Sequence, residues 1–586
     1  MDKINIKMKK IKQFIVNHYL AIILAIIVGF LMILPQVLFI FEMGDDYAGV
    51  NILATDVEPN FLSRFQEISE GGWGFSDVFL TFGESQPYQR PFLGHLIVYW
   101  FGRIFFSNVG HIFLLAKFFL PIVLFLTIYA FTLLFNKDTR IALSSSVGVM
   151  LWYGISSTPE LKSFLVNNFI VSQPSIFSRP IVPVFGLIIL FSFLSFFYLY
   201  LSRSQKRYFW LAGILFGLSF YIYFFTWSFL VVFVFVSFFW FWLKRDWLKL
   251  RKIFGVVFLG ALIALPYWFN FYKLINSEVF GSSSNQTGLI TDNSMIIGKY
   301  LIIAVVLCLI GIYVKKIKGN NLWFWSCLII SFVVILNQQL ITHQVLQPGH
   351  YHWYIIKPLM VILLLWLVFV HIRDKYRRCF YFLITLFILT GFYLTAGQQI
   401  STYLVSKDGA SLHSQRYAPV YKWLNQNTEE NQSIFGGIQY ESRLCSISCY
   451  THLDDYLYRN RFLYPYSFEQ NKYILFLEYR LSRITPLMAK GLFFDDLKDE
   501  IFHRIYGYYY RITYSDQGKS ASDQEIQEIL DEYTVFYEED LNISFKKYPV
   551  NYILWDKQIN PKWNLDDFDF LELIYQFNDI GIYKFL

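Results

Sequence analysis

Residues 18–41 read HYLAIILAIIVGFLMILPQVLFIF, a run of 24 residues without a charged side chain. A helix rises about 1.5 Å per residue, so this run covers the ~30 Å hydrocarbon core of a bilayer. It is about twice as long as an ordinary buried helix and too long for the apolar region of a signal peptide. No small-residue cleavage site follows it, so it reads as a retained span. Many similar runs follow. Of the 586 residues, 55% are hydrophobic and only 16% charged, and the mean hydropathy is +0.40. A soluble chain of this size needs more charge to cover its surface. The expected class is therefore a polytopic α-helical membrane protein.

Working outward, the apolar runs place about 11 spans, near 18–41, 111–135, 139–157, 181–201, 208–225, 226–243, 253–272, 295–314, 322–341, 354–371 and 378–397. The loops between them then alternate in charge. MDKINIKMKKIK, NKDTR, SRSQKR, KRDWLKLRK, KKIKGNN and HIRDKYRR share one side, while the other side holds little beyond Arg64, Arg90, Lys162, Arg179 and Lys273. The positive-inside rule makes the basic side cytoplasmic. The expected address is the plasma (inner) membrane, multi-pass, with a cytoplasmic N-terminus and an extracytoplasmic C-terminal part. The net charge of +7 follows from these short loops and is no sign of nucleic-acid binding. The apolar segment PFLGHLIVYWFGRIFF (91–106) is short and carries a central arginine. It reads as a re-entrant or interfacial helix, because a span there breaks the alternation. Residues 1–397 thus form the membrane domain, with an acidic first outer loop over 42–110. From about residue 398 charged and polar residues dominate. QRYAPVYKWLNQNT (415–428) reads as an amphipathic helix, and NQSIFGGIQY, NYILWDKQ and DIGIYKFL read as strands. Residues 398–586 are expected to fold as an extracytoplasmic mixed α/β domain.

Two stretches carry chemistry. The first run ends in FEMGDDYAGV, and the loop 42–90 holds nine acids against two basic residues. Asp45 and Asp46 stand at the rim of the span. In TDVEPNFLSRFQEISEGG, Pro59 suits the first turn of a helix, with Glu58 or Asp56 as its cap. Phe61, Leu62, Phe65 and Ile68 then form one apolar stripe, with Arg64 and Glu67 on the polar side, as in a helix lying in the membrane plane. Acids here serve either as solvated helix-end residues or as a general base toward an acceptor at the bilayer surface. The candidates for that base are Asp46, Asp45, Asp56 and Glu58, with Asp46 favoured. The second stretch, NQQLITHQVLQPGHYHWYIIKP (337–358), places His343, His350 and His352 on the same side, followed by Lys357. No carboxylate lies inside it, and HYH sends its two histidines to opposite sides of an extended chain, so a metal suits it poorly. A lipid phosphate bonded by His, Gln, Tyr and Lys donors suits it better. Arg90 and Arg179 join that face, each as a phosphate ligand or as a helix-end anchor.

Of the five cysteines, Cys308, Cys327 and Cys379 lie in or beside spans and read as small core residues. Cys445 and Cys449, as CSISC, suit either a small disulfide or two free thiols. No paired CxxC pattern is present, and nothing in the sequence calls for a cofactor or divalent metal.

The acidic stretches GDDYAG and TDVEPNFLSRFQEISEGG, the loop NQQLITHQVLQPGHYHWY and the opening YKWLNQNTEENQSIFGG of the outer part together resemble the GT-C superfamily of integral membrane glycosyltransferases. The likeness lies closest to uncharacterised bacterial members. It implies inverting transfer of a sugar from a polyprenyl-phosphate carrier to a glycan or glycolipid acceptor of the cell envelope, with a first-loop Asp as base. The WWDYG motif of the oligosaccharyltransferases is absent, which argues against N-glycosylation of protein. Two other classes compete: a transporter or flippase of lipid-linked saccharides, and a non-catalytic envelope-assembly protein. A transporter needs ionisable groups buried mid-span, and the main ones here are Lys117 and Arg103.

Overall fold

The computed structural model describes residues 2–55, 57–72, 87–88, 91–154, 174–276, 294–407, 411–430, 432–436, 447–455, 468–494, 497–506, 522–547 and 550–586. The membrane part forms α1 (Asp2–Met43), α2 (Glu58–Ser69), α3 (Leu93–Arg103), α4 (Val109–Asn136), α5 (Thr139–Met150), α6 (Val184–Arg203) and α7 (Lys206–Ser219). It continues with α8 (Phe224–Leu243), α9 (Trp247–Ile275), α10 (Lys299–Tyr313), α11 (Asn320–Leu336), α12 (Lys357–Lys375) and α13 (Arg377–Ser406). Each predicted span falls on one of these helices. Seven of them, α1, α4, α6, α8, α9, α12 with its preceding turns, and α13, are long and apolar enough to cross a bilayer. Helices α5, α7, α10 and α11 are shorter, with 12, 14, 15 and 17 residues.

The helix limits follow from local chemistry. The side chains of Asn108, Asp138 and Asp246 accept the backbone N–H groups of His111, Arg140 and Lys249, satisfying donors that the first turn leaves orphaned. Lys137 and Ser204 stop α4 and α6 in the left-handed conformation. At the basic end, Arg373 pairs with Asp138 (3.1 Å) and Asp374 (3.0 Å), and Lys316 pairs with Asp374 (2.7 Å), tying the ends of α5, α10 and α12 together.

Helix α4 is the centre of the bundle and packs against α1, α2, α3, α5 and α6. Its Leu124, Phe125, Ile128 and Phe131 are fully buried in the main core. Helices α7 and α9 pack at a seam of small residues. A Cβ on Gly217 would lie 2.8 Å from the Gly260 carbonyl oxygen, so only glycine lets these backbones approach as they do. Helix α3 buries His95, Val98, Tyr99 and Gly102, while Trp100 and, just past its end, Ile104 and Phe105 are exposed.

In the C-terminal part, the helix Ala418–Asn427 precedes a five-stranded sheet of β1 (Ser433–Gly436), β2 (Asp454–Asp455), β3 (Tyr552–Asp556), β4 (Leu571–Phe577) and β5 (Ile580–Phe585). The strand order is β2-β1-β3-β5-β4, with β1 parallel to β2 and β3, and β5 antiparallel to β3 and β4. Helices Phe468–Leu481, Pro486–Phe494, Lys498–Tyr506, Asp523–Glu538 and Leu541–Lys546 supply the apolar layer on one face of the sheet. The other face packs on the helix Ala418–Asn427 and on Val50 of the first loop. Cys449 is disulfide-bonded, and Cys445 lies outside the described residues. Cys308 and Cys327 are buried free thiols, but Cys379, expected in the core, is exposed at the start of α13.

Candidate active site at the end of the first span

Helix α1 ends at Met43. Gly44 takes a left-handed backbone (φ +52°), and a single 3₁₀ turn, Gly44–Asp46, closes with the Tyr47 N–H donating to the Gly44 carbonyl (3.3 Å). Glycine suits that position because L side chains resist positive φ. The turn presents Asp45 and Asp46 to solvent, and neither carboxylate makes a hydrogen bond or ion pair among the described residues. Their neighbour Glu42 is paired with Lys407, the residue just after α13, at 2.9 Å.

The chain just after this turn belongs to no helix or strand, so its backbone polar groups need partners from elsewhere. Gln36 of α1 accepts the Ile52 N–H (2.8 Å). Gln415 accepts the Ala48 N–H through Oε1 (3.1 Å) and donates to the Val50 carbonyl through Nε2 (2.7 Å). The Asn51 N–H donates to the Tyr450 hydroxyl (2.8 Å), and its side chain donates to the Gly110 carbonyl (3.2 Å) and accepts from the Tyr47 hydroxyl (3.0 Å). Burial pushes the Tyr47 phenol up to about 12 and the Tyr450 phenol well above its ordinary value, so both stay neutral. Two solvated acids therefore stand on a backbone held from α1, α4 and the C-terminal part.

Unlike these acids, Glu58 is buried. Its side chain is fully buried, with Oε1 2.6 Å from the Lys117 ammonium of α4 and Oε2 accepting the Ala54 N–H at 2.7 Å. Sequence reading places Glu58 at the head-group rim as a rival base or cap. Instead it is the internal counter-ion of Lys117, and Val57 is the uncapped residue before α2. Asp56 lies outside the described residues. The stripe Phe61, Leu62, Phe65 and Ile68 is buried as expected, but so is Arg64, which sequence assigns to a solvated face. The reason is that α2 is covered by α3 and α4 and also by the turn Ile447–Cys449, where Ser448 meets Ser63 at 3.1 Å. The helix is wrapped by protein rather than spread on the bilayer surface.

The candidate phosphate ligands divide. The His350 ring stacks on Phe225 (4.3 Å between centroids), bonds the Tyr223 hydroxyl through Nδ1 (2.6 Å) and meets Tyr354 edge-on (5.3 Å). Arg179 lies within electrostatic reach of both His350 and Tyr223. The segment His352–Ile356 makes one π-helical turn, and Lys357 follows it. The buried Lys357 ammonium donates to the Tyr153 carbonyl (2.8 Å) and faces the rings of Tyr153 (3.7 Å), Trp353 (4.7 Å) and Tyr300 (5.6 Å). Tyr153 also meets Phe177 (5.2 Å), in the turn that precedes Arg179 and packs on α1 and α4. Arg179, His350 and Lys357 thus belong to one aromatic-walled cluster. His352 packs against Gly298 and lies 6.4 Å from the Tyr300 ring that also faces Lys357, and His343 is exposed at a left-handed helix end (φ +58°). His350 and His352 contact different rings, Phe225 and Tyr354 for the one and Tyr300 for the other, and Arg90 lies outside the described residues.

Sequence reading does not single out Tyr223, Tyr153, Gln415 or Tyr450, because their partners are distant in the chain. Lys117 stands out only as a lone charge in a span, with Glu58 nowhere near it in sequence.

These features define a multi-pass α-helical membrane protein with a small C-terminal α/β domain docked on its acidic first loop. No family model and no curated protein matches the chain. Among solved structures it is similar to ArnT from Cupriavidus metallidurans. For the crystal structure bound to undecaprenyl phosphate, the match has 12% identity and a TM-score of 0.39, covering 72% of this chain and 85% of that one. For the apo crystal structure the values are 12% and 0.39, covering 73% and 87%.

Proposed function

We propose that the chain is a GT-C-type transferase that moves a sugar from a polyprenyl-phosphate carrier to an envelope glycan or glycolipid at the extracytoplasmic face. The observation that carries this reading is the pair of exposed, uncompensated carboxylates, Asp45 and Asp46, on a clamped turn at the end of a span. A lipid carrier brings its phosphate and sugar to that same level. In the proposed step Asp46 or Asp45 takes the proton of an acceptor hydroxyl. The hydroxyl oxygen bonds to the anomeric carbon from the face opposite the phosphate. The carbon–oxygen bond to phosphate breaks, the phosphate leaves with the electron pair, and the configuration inverts. Asp56 remains a candidate for the same role on sequence grounds. Arg179 and His350 would offer charge-assisted donors to the carrier phosphate, and Lys357 would add positive potential.

The test replaces Asp45, Asp46 and Asp56 singly by asparagine and follows release of undecaprenyl phosphate from undecaprenyl-phosphate-linked monosaccharides in membranes. Loss of a general base lowers turnover by about 10²–10⁴, so at least one variant is expected to fall that far. Wild-type turnover in all three sinks the reading. Arg179→Gln is expected to raise the donor KM about tenfold or more, since a charge-assisted bond contributes roughly 1.5–3 kcal/mol. The transporter reading is the weaker one, because Arg103 is exposed at the end of α3 rather than buried in a span, which leaves it only the Lys117–Glu58 pair of the two groups it named.

A further inference from the structure

The C-terminal domain does more than cap the membrane part. We propose that Gln415 and Tyr450 are positioning residues for the catalytic acids, so that the reaction centre is shared between α1 and the C-terminal domain. This rests on the assignment of Asp45 or Asp46 as the base.

Residues 47–52 have no ladder of their own, and three of their backbone groups are satisfied by that domain: Ala48 N–H and Val50 C=O by Gln415, and Asn51 N–H by Tyr450. The Gln415 amide binds Ala48 and Val50 as a neighbouring strand would, accepting from one residue and donating to another two positions along. Ala48 is two residues from Asp46. A general base must lie within about 3 Å of the proton it takes, and a shift of about 1 Å can cost about 100-fold in rate. The amide that fixes this backbone is itself fixed. Gln415 is 7% exposed and opens the turn Gln415–Tyr417, whose Arg416 and Tyr417 both bond the buried Asp556 of β3. A continuous set of contacts therefore runs from the sheet through Asp556 and Gln415 to the backbone that carries the acids. Tyr450 follows the turn Ile447–Cys449, which packs on α2, so its hydroxyl is anchored from a second direction.

The test uses the full chain in lipid nanodiscs with two readouts: turnover of undecaprenyl-phosphate-linked monosaccharides, and hydrogen exchange of the amides in 48–51. Gln415→Ala and Tyr450→Phe are expected to lower kcat about 10- to 100-fold with the donor KM unchanged. Exchange is expected to rise at least about 10-fold at Ala48 in the first and at Asn51 in the second, as each amide loses its acceptor. Lys422→Ala, exposed on the helix Ala418–Asn427, is expected to change neither readout. Gln415→Glu, nearly isosteric, keeps the acceptor for Ala48 but loses the donor to Val50. It is expected to lower kcat as well, and it decides the matter if Gln415→Ala fails to fold. Wild-type turnover in Gln415→Glu and Tyr450→Phe, while Asp45→Asn or Asp46→Asn is inactive, overturns the proposal and leaves the base standing. Lost turnover with unchanged exchange at 48–51 also overturns it, because the loop has then not been released. Normal turnover in both aspartate variants removes the base assignment, and this proposal with it.

Discussion

Lys117 and Glu58 form a buried pair whose members lie 59 positions apart, and each is costly without the other. Removing one partner of such a pair typically costs about 3–5 kcal/mol, whereas replacing both by uncharged residues of similar size is often nearly neutral. Glu58→Gln and Lys117→Met are each expected to lower the melting temperature in detergent sharply, and the double variant is expected to regain most of the loss. Turnover in the folded double variant then separates structure from chemistry: retained activity agrees with Glu58 as a counter-ion, and inactivity would return it to the list of bases. Sequence shows both residues but not their pairing, since nothing local links a helix-start glutamate to a lysine in the next long span. The same holds for His350 and Tyr223, 127 positions apart. Asp45 and Asp46 were legible because their signal is local: an apolar run, a glycine and two acids.

Elements were more legible than contacts, and the reason is periodicity. Long apolar runs announce α1, α4 and α12 directly, and the strands β1, β3 and β5 were visible as short apolar stretches with entirely or largely buried residues. Strand β4 was missed because it is a half-exposed edge whose register shifts between Leu573 and Tyr575, which blurs its alternation. The π turn His352–Ile356 has no sequence mark at all. The α7–α9 seam is testable at this scale. Gly217→Leu places side-chain atoms where the Gly260 carbonyl already sits, and overpacking of this kind costs about 1–3 kcal/mol. A clear loss of thermal stability is expected, while Gly397→Leu on α13, where a Cβ meets nothing within 4 Å, is expected to be tolerated. Equal stability of the two would mean that the seam is looser than its geometry.

For the molecule as a whole, the alternation of basic and acidic loops leads us to expect an internal N-terminus and an external C-terminal domain. A protease tag near residue 410 should be cleaved from outside in sealed cells, and protection there would reverse the orientation and remove the proposed extracytoplasmic chemistry. The same clamp also has a consequence for biosynthesis. The hydrogen bonds from Ala48 and Asn51 reach partners 367 and 399 positions further along the chain. At about 5–20 residues per second, the ribosome supplies those partners roughly 20–80 s after the acidic turn emerges. Until then the first span is inserted while the segment that follows it has only Gln36, Tyr47 and, once α4 is made, Gly110 to hold it, and its Ala48 and Asn51 amides have only water. A nascent or truncated chain would therefore sit in the membrane as an inert precursor, and competence would arrive last, when the C-terminal sheet closes over the loop made first.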